Sequence, residues 1–205
     1  MSISVKGIEG LEQLLKQVRM CKVCDRNLPL GANPVIQASP TARLLIIGQA
    51  PGTRVHQTSI PWNDPSGDRL RDWLQLDQDD FYNSQNIAIM PMGLCYPGKG
   101  KNGDLPPRKE CAPLWHQKVL SMMPHVGMTL LIGQYAQNYY LNKKPKTLTE
   151  TVKQWQTWAP SYLPLPHPSP RNTLWLKNNP WFEAEVLPFI REYVHSYLKL
   201  NEPKK

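Results

Sequence analysis

The chain has 205 residues, a formal net charge of +8, 40% hydrophobic residues and 21 prolines. That length suits one domain with a sizeable core, and seven tryptophans argue against a disordered chain. The charge favours an acidic partner, with nucleic acid first, and no apolar run reaches the length of a membrane span.

Met1-Ser2-Ile3-Ser4-Val5-Lys6 has no apolar signal core. The chain is therefore expected in the cytoplasm, where disulfides are rare. Ile8, Leu11, Leu14, Leu15 and Val18 recur at helical spacing and predict a helix ending before Cys21. Leu28 to Pro40 carries three prolines and a glycine and reads as irregular loop. Leu44-Leu45-Ile46-Ile47 reads as a short strand buried on both faces. It stops at Gly48, and Gln49 to Gly67 reads as one long loop. Ser66 is the expected N-cap of a helix from Asp68 to Leu76, with Leu70, Trp73 and Leu74 on one face.

Ile87 to Met90 is a second expected strand, and Tyr96 to Pro107 reads as loop. A helix is expected from Cys111 to Met123, then a strand from Met128 to Ile132 and a helix from Gln134 to Leu141. Thr149 to Trp158 reads as amphipathic helix and Tyr162 to Leu165 as a short strand. The last helix is expected from Trp181 to Leu200, kinked or divided at Pro188, with a polar tail from Glu202 to Lys205. Strands alternating with helices predict a parallel sheet covered on both faces. The Gly- and Pro-bearing loops after three strands should then gather in one cleft at one end of the sheet.

All four cysteines fall into two pairs, Cys21-x2-Cys24 and Cys95-x15-Cys111. Reduced thiols grouped this way predict a metal centre. Spacing alone leaves zinc and an iron–sulfur cluster equally open.

Gly48-Gln49-Ala50-Pro51-Gly52 resembles the first motif of family-4 uracil-DNA glycosylases, usually Gly-Glu-Ala-Pro-Gly. Ile60-Pro61-Trp62-Asn63-Asp64-Pro65-Ser66-Gly67 resembles their Pro-Phe-Val-Gly-x-Ala-Gly segment. The cysteine spacing is also similar to theirs, where it holds a [4Fe–4S] cluster. His167-Pro168-Ser169-Pro170-Arg171-Asn172 resembles the superfamily's second motif, in wording closest to the single-strand-selective monofunctional uracil-DNA glycosylases. The resemblance spans about residues 20 to 190, with the motifs in the family's order. It implies a single three-layer α/β/α domain built on a four-stranded parallel sheet, its N-terminal segment tied on by the cysteine-ligated cluster. It also implies a monomeric DNA glycosylase of base excision repair, acting on uracil or another deaminated or damaged base. A catalytically weak protein that binds lesions or abasic sites is the alternative, and a nucleoside-processing enzyme of the same fold is a third reading.

The residue chemistry accommodates that activity. A glycosylase must hold an unstacked base in a pocket, and Trp62 offers a flat face. Ala50, Pro51 and Pro91 fall in segments expected to shape that pocket. His167 can donate to the oxyanion that develops on the leaving base. Ser169, Arg171 and Asn172 can meet phosphates, and Lys99, Lys101, Arg108 and Lys109 are expected on the DNA face. Two departures from the family bear on specificity: Pro91 stands where the family has an Asn that reads uracil, and Gln49 stands for the motif Glu; Ala50, which matches the motif, cannot activate water. Gln49 and Asp64 are therefore the candidates for base reading or water orientation, while Asp64 is also a candidate helix cap.

Overall fold

The computed structural model describes residues 5–101 and 103–198. The signal-core reading of Met1–Ser4, the helix end near Leu200 and the tail from Glu202 lie outside the described residues. Helix α1 (Val5–Arg19) buries Leu11, Leu15 and Val18. Strand β1 (Leu44–Ile47) follows, buried at every position. Helix α2 (Thr53–Thr58) lies in the stretch expected to be all loop; only Val55 of its six residues is buried, so no periodicity announced it. Helix α3 (Pro65–Leu74) starts three residues earlier than expected. Its N-cap is Asp64, not Ser66: Asp64 Oδ1 accepts the Gly67 N–H at 2.9 Å, and Pro65 fills the first helical turn, where no N–H is needed.

Helix α4 (Gln78–Tyr82), capped by Asp77, was not expected. Strand β2 (Ile87–Ile89) comes next. The expected loop after it carries a two-rung antiparallel ribbon, β3 (Lys99–Gly100) and β4 (Gly103–Asp104). A π-helical turn over Ala112–His116 leads into α5 (Gln117–Leu120). Strand β5 (Met128–Ile132) and helix α6 (Gln134–Tyr140) follow. Helix α7 (Leu148–Lys153) opens with a Thr147/Glu150 capping box, and a 3₁₀ turn at Trp155–Thr157 ends this expected helix. Strand β6 (Tyr162–Leu165), a 3₁₀ turn at Pro170–Asn172, and α8 (Thr173–Asn178) come next. A π-helical turn over Phe182–Val186 runs into α9 (Leu187–Leu198), so Pro188 falls where the winding changes.

The four long strands form one parallel sheet in the order β2-β1-β5-β6. Leu44 pairs with both Ile87 and Met128, and Pro164 is confined to the edge strand β6. Gln37 covers the opposite edge through two backbone bonds to Ile89. Alternation along the strands divides the core. Leu44, Ile46, Ile89, Leu130 and Leu163 face α3 and α9, packing on Leu70, Trp73 and Ile190. Leu45, Ile47, Ala88 and Leu131 face α1 and α5, packing on Leu15 and Val119. These are the three layers of an α/β/α fold, as the alternation of elements implied. No described helix is long and apolar enough to cross a membrane.

One buried imidazole ties the helical layer to the end of β2. His116, 1% exposed, has Nε2 3.2 Å from the Pro91 carbonyl and Nδ1 2.6 Å from the Tyr140 hydroxyl. A carbonyl only accepts, so Nε2 carries the proton and Nδ1 accepts from Tyr140 in the neutral ring. Burial pushes the His116 pKa down from 6.5 to about 4. The unfolded chain therefore takes up a proton that the fold refuses. Stability is full above the unfolded value and is lost as pH falls from about 6.5 toward about 4, by about 3 kcal/mol in all. Burial lowers the His167 pKa as well, which acts in the same direction. Urea unfolding from pH 7 to pH 4 should show this loss, and His116→Gln should flatten part of the curve while keeping a donor to Pro91.

Candidate active site

The loops leaving β1, β2 and β6 meet the β3–β4 ribbon around one cavity of about 430 Å³. Gly48, Gln49, Ala50, Pro51, Trp62, Asp64, Pro91, Lys99, His167, Ser169 and Arg171, all singled out in the sequence, line it together. Val35, Val55, Ser66, Ile89 and Asp104 also line it, which the sequence did not indicate.

Trp62 holds the side wall. Its backbone lies in the left-handed region (φ 57°), a costly state for a bulky residue. Several contacts enforce that state. Arg71 Nη1 donates to the Trp62 carbonyl at 3.3 Å and Tyr82 donates to the Pro61 carbonyl at 2.9 Å. Arg71, 7% exposed, is itself fixed by Asp68 at 2.6 Å and by the faces of Phe81 and Tyr82. Gly67 has no room for a Cβ, which would overlap the Trp62 carbonyl. The indole then lies on Gly48, where a Cβ would come within 2.7 Å of Cζ2. Its ring centre is 5.7 Å from that of His167.

His167 sits just past β6. Asn172 donates to the His167 carbonyl at 2.7 Å, so Asn172 fixes this loop from behind and does not line the cavity. Arg69 of α3 clamps the same loop through the Ser169 carbonyl at 2.8 Å. The His167 ring makes no hydrogen bond among the described residues; what it exposes faces the cavity. Desolvation outweighs the nearby Asp64 charge and lowers its pKa, so it is a neutral imidazole at neutral pH. A neutral ring still offers one N–H.

Two carboxylates share the cavity. Asp64 Oδ1 is spent on the α3 cap, while Oδ2 lies 3.8 Å from the point a Gly52 Cβ would occupy. Asp104 Oδ2 lies 3.6 Å from the same point, reached from the ribbon. Gln49 Nε2 donates to the Leu105 carbonyl at 3.3 Å, which ties the first motif to the chain leaving the ribbon. Lys99 faces the cavity from β3, directly opposite Asp104 in the ribbon register. Lys101 is exposed in the ribbon turn and outside the cavity lining. Arg108 and Lys109 do not join this surface: Arg108 pairs with Glu110 at 2.7 Å, and both border a separate groove with Tyr135 and Tyr139.

Cys21, Cys24, Cys95 and Cys111 line one narrow cavity of their own, beside Arg108 and Trp115. All four are free thiols. Burial pushes Cys95 up to about 12 and Cys111 up to about 11, and each neighbouring thiolate would raise them further. Anionic sulfur here needs a cation to stabilise it. The buried Trp115 Nε1 has no hydrogen-bond partner among the described residues. An all-thiol donor set with a spare N–H fits a thiolate-bound metal group. As the side chains lie, no group of three or more His, Cys, Asp or Glu among the described residues is placed to hold a metal ion directly.

A cleft of loops at the carboxyl ends of a four-stranded parallel sheet, with an aromatic wall facing a neutral histidine, defines a class of site for a flat, uncharged ring. The family model of the uracil DNA glycosylase superfamily matches residues 36–191, and the chain belongs to that superfamily. Membership carries DNA glycosylase-type function, and with it DNA repair by base excision, in general terms.

Arg71, Tyr82 and Arg69 escaped the sequence reading because they act on carbonyls distant in the chain. Gly48→Ala tests the wall directly. The new methyl should push the indole into the cavity and cost about 1–3 kcal/mol, as overpacking does. Chemical denaturation would measure the cost, and a crystal structure of the variant would show the ring displaced.

Proposed function

We propose that the protein is a monofunctional DNA glycosylase that releases uracil or another deaminated base from DNA. The observation that carries this reading is the convergence of Trp62, the neutral His167 and Asp64 Oδ2 on one cavity. A base turned out of the stack lies along Trp62. Deaminated bases present a carbonyl beside a ring N–H. His167 donates to the carbonyl and Asp64 accepts from the N–H. The unmodified amino bases cytosine and adenine present a ring nitrogen lone pair at that edge, which a carboxylate repels. Gln49 supplies a further amide at the rim. This arrangement supplies the base reading that Pro91, with no side-chain donor or acceptor, cannot.

As the glycosidic bond breaks, the electron pair moves onto the base and negative charge grows on its carbonyl oxygen. The His167 N–H meets that charge. A neutral imidazole suits this step, because its proton is still present to donate at neutral pH. Lys99, Ser169 and Arg171 receive the backbone phosphates, which gives the basic surface its partner.

Cys21, Cys24, Cys95 and Cys111 are proposed to hold a [4Fe–4S] cluster, with zinc as the alternative. When bound, the group supplies structural cross-linking and no step of base release. It would tie the segment after α1 to the loop after β2. Trp115 Nε1 can donate to an inorganic or cysteine sulfur.

Two measurements test these assignments. His167→Ala should slow single-turnover base release about 10²–10³-fold, the scale of losing one oxyanion donor, with DNA affinity nearly unchanged. A wild-type rate in this variant would remove His167 from the chemistry. Anaerobically purified protein should be brown and contain iron, and Cys95→Ser should lose the colour and unfold at lower denaturant. Colourless protein with one zinc would replace the cluster assignment.

A further inference from the structure

Hydrolysis needs a group to take a proton from water, and neither residue of the first motif supplies it: Ala50 is inert, and the Gln49 amide is engaged by Leu105. Asp64 is half-committed to its helix cap, and its other oxygen, 3.8 Å from the point a Gly52 Cβ would occupy, is the one assigned above to the base N–H. The cavity contains one more carboxylate. We propose that Asp104, carried on β4, is the general base that activates the attacking water; this rests on the glycosylase reading above.

The placement follows from the shape of a nucleotide. In a flipped-out nucleotide the base enters the pocket, the phosphates stay at the surface, and the sugar lies between. Asp104 stands at that middle level. It lines the cavity, yet remains solvent-exposed at its rim. On one side are the cations that would meet phosphate. Lys99 is its cross-strand neighbour, and Arg171 Nη1 comes within 3.0 Å of where a Gly103 Cβ would stand. On the other side is Gly52, whose missing side chain leaves a space bounded by Asp104 Oδ2 at 3.6 Å and Asp64 Oδ2 at 3.8 Å. A water in this space can touch Asp104 while facing the sugar carbon. Among the described residues no hydrogen bond or ion pair occupies the Asp104 carboxylate. Its surroundings also favour basicity. Desolvation raises its pKa above the ordinary carboxylate value, Asp64 adds to the rise, and Arg171 and Lys99 oppose it.

The step balances without a further reactant. A lone pair of water oxygen forms the bond to C1′ of the deoxyribose. The C1′–N bond breaks and its electron pair leaves with the base, whose oxyanion is met by His167. The water proton passes to Asp104. Before that transfer, the ionised carboxylate also stabilises the oxocarbenium-like sugar.

Single-turnover release of uracil, hypoxanthine and xanthine from oligonucleotides, followed from pH 4 to pH 9, tests the assignment. Asp104→Asn should slow every base about equally, by about 10²–10³-fold, and abolish the fall in rate at acid pH that protonation of the base causes. DNA affinity should hold or rise, because a negative charge beside Lys99 and Arg171 is gone. Asp104→Glu should recover part of the rate and restore the acid limb. Asp64→Asn, which keeps its cap, should instead re-rank the three bases and leave the acid limb in place. A rate and pH profile of wild type in Asp104→Asn would overturn the proposal while leaving the glycosylase reading intact. So would an acid limb that vanishes only in Asp64→Asn. Wild-type protein that binds these oligonucleotides and releases no base would overturn the glycosylase reading, and this role with it.

Discussion

The left-handed backbone of Trp62 is the constraint on which the site depends. Left alone, that residue would relax to an extended or helical conformation and carry its indole away from Gly48. The fold prevents this with groups drawn from three places: the guanidinium of Arg71, the hydroxyl of Tyr82, and the bare α-carbon of Gly67 at the start of α3. Each is set in turn by something deeper. Arg71 is oriented by Asp68, Phe81 and Tyr82, and α3 is fixed by its cap and by Leu70 and Trp73 in the core. The position of one aromatic ring thus descends from the packing of a whole layer, which is how a strained residue persists.

Electrostatics inside the cavity run against the character of the whole surface. The chain carries a net charge of +8, yet its cavity holds two carboxylates and an uncharged histidine. The cations stand at the rim. This division suits a polyanion whose charge must be attracted and whose uncharged base must be admitted. The two carboxylates differ in surroundings. Asp64 spends one oxygen on a helix terminus, while Asp104 stands at the exposed rim beside Lys99 and Arg171, its pKa raised by partial burial. Chemically identical groups in unequal settings are the usual means of dividing labour within one cavity.

Much of this was legible in the sequence. The four central strands announced themselves as short apolar runs because both faces are buried. The loops with Gly48, Pro91 and His167 were placed at one sheet end by topology alone. The individual cavity residues Trp62, Asp64 and Arg171 came from the motifs that resemble the family's. What stayed hidden has a common cause: contacts that involve no periodicity. Helix α2 buries one residue, so nothing marked it out. Asp104 lay in a stretch read as formless, because a ribbon of two residue pairs is too short to show alternation. Ser66 looked as good a cap as Asp64, and only the backbone path shows which side chain reaches Gly67. Arg108 and Asn172 had the right chemistry for phosphate but are engaged by Glu110 and by the His167 carbonyl.

The β3–β4 ribbon has only two residue pairs, Lys99 with Asp104 and Gly100 with Gly103. It is steadied by the Leu105 N–H on the Gly98 carbonyl at 2.8 Å and by Gln49 Nε2 on the Leu105 carbonyl. A two-stranded ribbon this short has little cohesion of its own in water. Its free energy of opening is therefore far below that of the sheet, and its amides should exchange with solvent by local excursions while those of β1 and β5 wait for global unfolding. The cavity is accordingly built from parts of unequal permanence. Its tryptophan and histidine belong to the packed body of the protein, and one carboxylate rides on a short segment tied to the first motif by the Gln49–Leu105 bond.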